Sequence, residues 1–419
     1  MRVRFIYSTG FLLCLYAWGT SSPMGFDQAL KKILERSSDI QIQETKVQGA
    51  DYKVLGRKAA FLPNLSLSGQ RGNTITDGDV APASQSIGLS STVNLLKWGA
   101  DKNNLEASRS DLKAEQESLE DTRFKTEDLA VDVLCKEIEA EQKTEVLKKN
   151  AETFKSYLEI ADQRFRRGLL ASQEVDKVSL DYGNAQALLQ DAQYAAAQAK
   201  ADLERLLGSE NIDNEWPWKG RLQTQGVATL MRTVPNIEAR PDVRSLENLV
   251  NAENSRMKAG FDGEWPSLDL TGTVGTSQFE DGSQQVLTTG LTLSVPLFDR
   301  LANYSQYKVQ YSNFAAADLK LRQLKLDAKA QWKASQEQFS IALATALSRD
   351  KNYKTSQSLY KTNENRFRQG RASANDLEVD HRRLNEAALL EIEGWSKAHA
   401  QFTRLCHALG RSVEHCEGS

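Results

Sequence analysis

At 419 residues, with 40% hydrophobic content and only 8 prolines, the chain has the composition of a folded protein and not of a disordered or low-complexity one. Its formal charge is -3 and no block of basic residues stands out, which argues against nucleic acid as a partner. Four cysteines in this length are too few for a fold built on disulfides.

The chain opens with Arg2 and Arg4 ahead of an apolar run over 5–17 that is too short to span a bilayer. Ala17 and Gly19 flank Trp18 as a small-x-small cleavage site, so residues 1–19 read as a signal peptide and the mature chain as exported. Cys14 does not fit a lipid-attachment site, because bulky Leu13 stands where a small residue is needed. No later segment reaches 18 consecutive apolar residues, so no membrane-spanning helix is expected.

Beyond the leader the chain repeats itself. "RFRRG" from Arg164 returns as "RFRQG" from Arg366, and residues 164–208 and 366–410 match without a gap, both ending on Leu-Gly. Upstream, "FLPNLSLSG" (61–69) matches "EWPSLDLTG" (264–272), and "GLSSTVNLL" (88–96) matches "GLTLSVPLF" (290–298), at nearly the same offset. Such self-similarity marks two copies of one structural unit. The expected division is a first repeat over 20–208, a linker over 209–235, a second repeat over 236–410 and a tail over 411–419. Each repeat holds a helix, two strands (64–75 and 86–96; 267–278 and 286–297) and a long hairpin (99–208; 301–410).

The four strand segments alternate apolar residues with Ser, Thr or Gly, which gives each one apolar and one polar face. Phe61, Trp98, Trp265 and Phe298 stand where strand meets helix, as aromatic residues do at a membrane interface. A water-soluble hairpin sheet packed on the helices is the alternative. In lipid, four strands leave open edges, and known membrane barrels begin at about eight strands, so a membrane reading requires several chains.

The hairpins are legible from what they lack. Residues 100–167 and 302–369 contain neither Pro nor Gly, which makes each a candidate single helix. Leu147, Ala151, Phe154, Leu158, Ala161 and Phe165 step alternately by 4 and 3, the period of a coiled-coil seam. Gly168 can end the first arm in a left-handed conformation and Ser172 can open the second, so the repeated phrase marks hairpin tips. A compact four-helix bundle is the alternative, and arms of this length weigh against it.

In the order and repetition of these motifs the chain resembles the TolC family of outer-membrane efflux proteins, over nearly all of its mature length. The resemblance implies a mainly α fold with a small β part: a trimer in which each chain gives four strands to a transmembrane β-barrel and its helical hairpins to an α-barrel across the periplasm. It implies an outer-membrane channel that exports substrates for a tripartite efflux pump or type I secretion system, with a periplasmic adaptor and an inner-membrane pump as partners. Asn94 in the place of Pro296, and "KWGADKN" (97–103) at the helix entry, depart from the pattern. No phosphate loop, nucleophile motif or metal-ligand spacing is present, so no enzyme, cofactor or metal is expected, and His381 and His399 are expected to be exposed. A periplasmic or surface coiled-coil scaffold is the competing function.

Three sets of site residues follow. The tips, with Arg166, Gly168, Leu169, Arg368, Gly370 and Arg371, are the parts able to reach an adaptor. Asp376 matches the acidic position that the resemblance places at the periplasmic entrance, although the family's second acidic position falls on Val379. At the repeat offset, Ala161, Val178 and Leu189 become Asn363, Asp380 and Glu391, which predicts that the second hairpin faces water there and that Asp380 joins Asp376 in a constriction. In the tail, "CHALGRSVEHC" (406–416) suits a Cys406–Cys416 disulfide in an exported protein, with a zinc site or unpaired thiols as alternatives.

Overall fold

The computed structural model of the protein describes residues 26–72, 75–76, 79–80, 84–207, 233–262, 265–279, 282–295, 297, 301–369, 371, 374–413 and 416. The expected signal peptide, most of the expected linker, Phe298 and Gly370 lie outside the described residues.

In chain order the elements are α1 (Phe26–Arg36), α2 (Ser38–Ala59), β1 (Asn64–Gly72), β2 (Ser84–Leu96), α3 (Ala100–Arg166) and α4 (Ser172–Leu207). A short 3-10 turn (Ile237–Ala239) leads into α5 (Pro241–Asp262), β3 (Ser267–Phe279), β4 (Gly282–Ser294), α6 (Ala302–Arg368) and α7 (Ala374–Ala408). Between β1 and β2 the pair Ile75–Thr76 and Asp79–Val80 adds a two-residue ladder.

The helices α3 and α6 have 67 residues each, which at 1.5 Å per residue is about 100 Å. With no Pro to remove a donor and no Gly to loosen the chain, nothing interrupts them. Ion pairs at i,i+4 lace their exposed faces, among them Asp121–Lys125 at 2.6 Å and Glu145–Lys149 at 2.6 Å, each worth a few tenths of a kcal/mol.

The shorter helices divide these two lengthwise. Near the sheet, α2 and α5 accompany α3, and α5 also packs on α6; toward the tips α4 lies on α3 and α7 lies on both long helices. The exchange of partners happens at an equator filled by two apolar clusters. Ala29, Ile33, Val131, Leu134, Leu203 and Leu207 join α1, α3 and α4. Phe339, Trp395, Phe402, Leu405 and Cys416 join α6, α7 and the tail, with the Phe339 and Phe402 rings 5.6 Å apart. Burying each such large side chain stabilises by roughly 1.5–3 kcal/mol. The repeat is exact in function here: equivalent Leu203 and Leu405 are 0% and 1% exposed.

The strands form one antiparallel sheet in the order β1-β2-β3-β4, so the pairing of β2 with β3 joins the two repeats. β4 begins at Gly282, four residues before the expected 286. Register puts Leu67, Leu89, Val274 and Leu287 in one row of the apolar face, and Ser66, Ser90, Thr273 and Thr288 in one row of the polar face. Among the described residues nothing covers the apolar row, whose members are 43–75% exposed.

The unusual helix entry at 97–103 has a geometric reason. The residues before α3 and α6, Gly99 and Leu301, both adopt left-handed backbone with φ of +105° and +64°. At Gly99 an added Cβ would lie 3.1 Å from Asp262 Oδ2, an oxygen that already accepts a 2.6 Å hydrogen bond from Asn103. Glycine therefore meets both the backbone and the space requirement at this crossing of the two repeats.

Candidate functional site

The hairpin tips are built the same way twice. Gly168 has φ of +73°, and Leu169 N–H donates back to the Arg164 carbonyl at 2.9 Å; in the second tip Arg371 N–H donates to the Arg366 carbonyl at 2.8 Å. These bonds satisfy carbonyls that a helix end leaves unpaired. Arg166, Leu169, Arg368 and Arg371 are exposed, Leu169 at 72%, and Arg368 pairs with Glu364 at 2.7 Å. Between the tips lies an apolar groove of about 290 Å³, lined by Ile160, Val178, Phe367 and Leu377, with Asp181 and Glu378 among its acidic residues.

Of the two expected entrance carboxylates, only Asp376 is exposed, in the first turn of α7. Asp380 is buried, which corrects the expectation that it faces water. It accepts a hydrogen bond from Asn363 on the facing arm and lies 3.5 Å from Arg383. The physical reason is in the pairing itself. Asn363 and Asp380 replace Ala161 and Val178 together, so the seam stays closed with one polar contact in place of an apolar one. Glu391, the third such exchange, is half-buried.

His381 is also buried, against expectation, and His399 is half-buried. The His381 Nε2 lies 3.1 Å from Asn150 Oδ1 and 3.0 Å from Asn385 Nδ2, linking α7 to α3. Rings of Tyr360, Phe154 and Tyr157 surround it with centroids at 5.4, 5.9 and 6.5 Å. Burial lowers its pKa, so the imidazole is neutral. Burial raises the pKa of both Tyr157 and Tyr360, whose hydroxyls influence each other between α3 and α6. This buried polar node, about two to four turns behind the tips, went unread in the sequence; its only sign was Asn150 beside the seam residue Ala151.

At the equator the tail is fastened twice. Cys406 and Cys416 form a disulfide with Cα atoms 6.1 Å apart. The adjacent His407 points elsewhere, with Nε2 2.8 Å from Glu127 and Nδ1 2.9 Å from Asp128, and stacks on Phe124 at 4.8 Å. Burial pulls the His407 pKa down, but the Asp128 and Glu127 carboxylates, both within 2.9 Å of the ring, outweigh it and raise it to about 9. The ring is therefore cationic at neutral pH. Among the described residues no His, Cys, Asp and Glu group has the arrangement of a metal site.

At the other end, Phe61, Trp98 and Trp265 are each about half exposed, and the two indoles lie 5.6 Å apart. Asn94, in the place of Pro296, donates to Asp269 across the β2–β3 pair at 2.6 Å. Among the described residues no helix is long and apolar enough to cross a membrane.

The model of the outer membrane efflux protein family matches residues 29–209 and 236–411, one segment in each repeat. The chain belongs to this family. Solved relatives share its fold. The CmeC outer membrane channel of Campylobacter jejuni superposes with a TM-score of 0.79 at 17% identity, covering 98% of this chain and 94% of its own. The open-state MtrE outer membrane channel of Neisseria gonorrhoeae gives 0.76 at 18% identity, covering 93% and 89%. The outer membrane protein VceC of Vibrio cholerae gives 0.77 at 15% identity, covering 92% and 96%. None of the curated proteins matches the chain in sequence. Membership in the outer membrane efflux protein family assigns the chain a transport role at the outer membrane.

Proposed function

We propose that three copies of this chain close one twelve-stranded barrel in the outer membrane and continue it as a twelve-helix tunnel across the periplasm. Substrates handed over by an inner-membrane pump and a periplasmic adaptor leave through it. The observation that carries this reading is the sheet, whose apolar face is bare among the described residues and whose outer strands β1 and β4 have no further strand beside them there. Unpaired backbone groups in lipid each cost several kcal/mol, and closure by further copies removes every edge.

In this assembly the tips face the adaptor. The groove between them accepts an apolar ridge, since its carboxylates Asp181 and Glu378 already pair with Arg382, and Asp376 from three chains rings the entrance. Against the scaffold alternative stands the bare apolar face, which a soluble cap would have to bury on its own helices. Cell fractionation with gel electrophoresis tests the proposal. A heat-labile trimer in the outer membrane that conducts ions in planar bilayers is the expected result; a soluble periplasmic protein without conductance overturns it.

A further inference from the structure

Register divides the charges of the four strands in a simple way. The apolar face carries one, Arg71, at the end of β1 away from the helices. The polar face runs through Asn64, Ser66, Ser90, Thr92, Thr273, Thr288 and their neighbours, and its one formal charge is Asp269, near the start of β3. The carboxylate is half-buried and is held against the wall by the 2.6 Å hydrogen bond from Asn94, its direct cross-strand partner.

We propose that Asp269 sets a second cation-selective ring, at the floor of the barrel where strands give way to helices, with Asn94 as its positioning residue. This rests on the trimeric channel reading above. Twelve strands spaced about 4.8 Å apart and tilted about 40° make a barrel of roughly 12 Å radius. Carboxylates pointing inward then lie about 8 Å from the axis, close to the Debye length of about 8 Å at physiological ionic strength. Three negative charges at that distance act on every ion in the lumen and are not screened out before its centre. The Ser and Thr hydroxyls of the remaining rows offer dipoles of either orientation and favour neither sign of ion. This ring lies a full hairpin length from Asp376, so the two are separable.

The test uses full-length trimers in planar bilayers under a KCl gradient, with reversal potential as the readout. Five chains are compared: wild type, Asp376→Asn, Asp269→Asn, the double variant and Asp269→Lys. Asparagine keeps the shape of the Asp269 side chain and a hydrogen-bonding oxygen toward Asn94, so folding is preserved and heat-labile trimers confirm it. The expected result is that Asp376→Asn keeps part of the cation preference and that adding Asp269→Asn lowers the K⁺ to Cl⁻ permeability ratio several-fold, to about one. Asp269→Lys should reverse the preference. If the double variant retains the selectivity of Asp376→Asn alone, the inference is overturned while the channel reading stands. If wild-type trimers conduct nothing, the channel reading itself falls, and the ring with it.

Discussion

The buried His407 offers a direct test of what holds the equator together. In the fold its pKa is about 9, and in an unfolded chain a histidine titrates near 6.5. At roughly 1.36 kcal/mol per pH unit the gap corresponds to about 3 kcal/mol. Because the folded value is the higher one, this contribution is fully present below about pH 6.5 and is lost as pH rises through about 9. The element it holds is local: Val413 N–H donates to Glu127 at 3.3 Å, and Arg411 N–H donates to the Cys406 carbonyl at 3.0 Å. Hydrogen exchange of the amides at 411–413 therefore reports on it. After correction for the pH dependence of chemical exchange, wild-type protection should fall by up to about 100-fold between pH 6.5 and 10. His407→Gln should begin at the lower level and show no such pH dependence. Wild-type protection that stays flat, or a variant indistinguishable from wild type, would refute the clamp.

Three further outcomes are expected. Gly168→Val forces a β-branched residue to φ of +73° with nothing within 4 Å for it to strike, a strain on the order of 1–2 kcal/mol confined to the tip; trimers should persist while efflux falls, and undiminished efflux would count against docking there. Gly275→Ala places a Cβ 3.1 Å from the Ile87 carbonyl oxygen and 3.3 Å from Gly88 Cα, so it should lower the temperature at which gel-stable trimers dissociate, whereas Gly69→Ala, with open space around it, should not. Thiol labelling of mature, unreduced protein should find no reactive cysteine in the native state, since Cys135 is buried with its pKa pushed up to about 12 by burial. After denaturation one label is expected without reductant and three with it; three without reductant would contradict the Cys406–Cys416 pair.

Long-range order was legible wherever local rules repeat. The two 67-residue helices follow from unbroken spans without Pro or Gly, and the sheet faces follow from strict alternation, because both depend on neighbours in sequence. Reading the seams failed at Asp380 for a definable reason. A carboxylate in a seam implies water only if nothing across the seam can receive it, and here Asn363 on the other arm donates to it. Likewise His407 sits beside Cys406 in a stretch that invites a local metal or disulfide reading, yet its partners Glu127 and Asp128 come from the other repeat. Which side chains meet across two helices 280 residues apart depends on their relative rotation, and no spacing within one segment encodes that. Asp269 was passed over because one acid in an alternating strand looks ordinary until register shows its face otherwise uncharged.

The placement of the clamp has a mechanical consequence. His407 grips α3 at Glu127, and α3 runs on from there to Arg166, 39 residues or about 58 Å away. With the fulcrum held by an ion pair and the neighbouring disulfide, the lower half of each long helix is a lever arm. Over that length a swing of about 5° at the equator would carry the tip sideways by about 5 Å, more than the diameter of a water molecule.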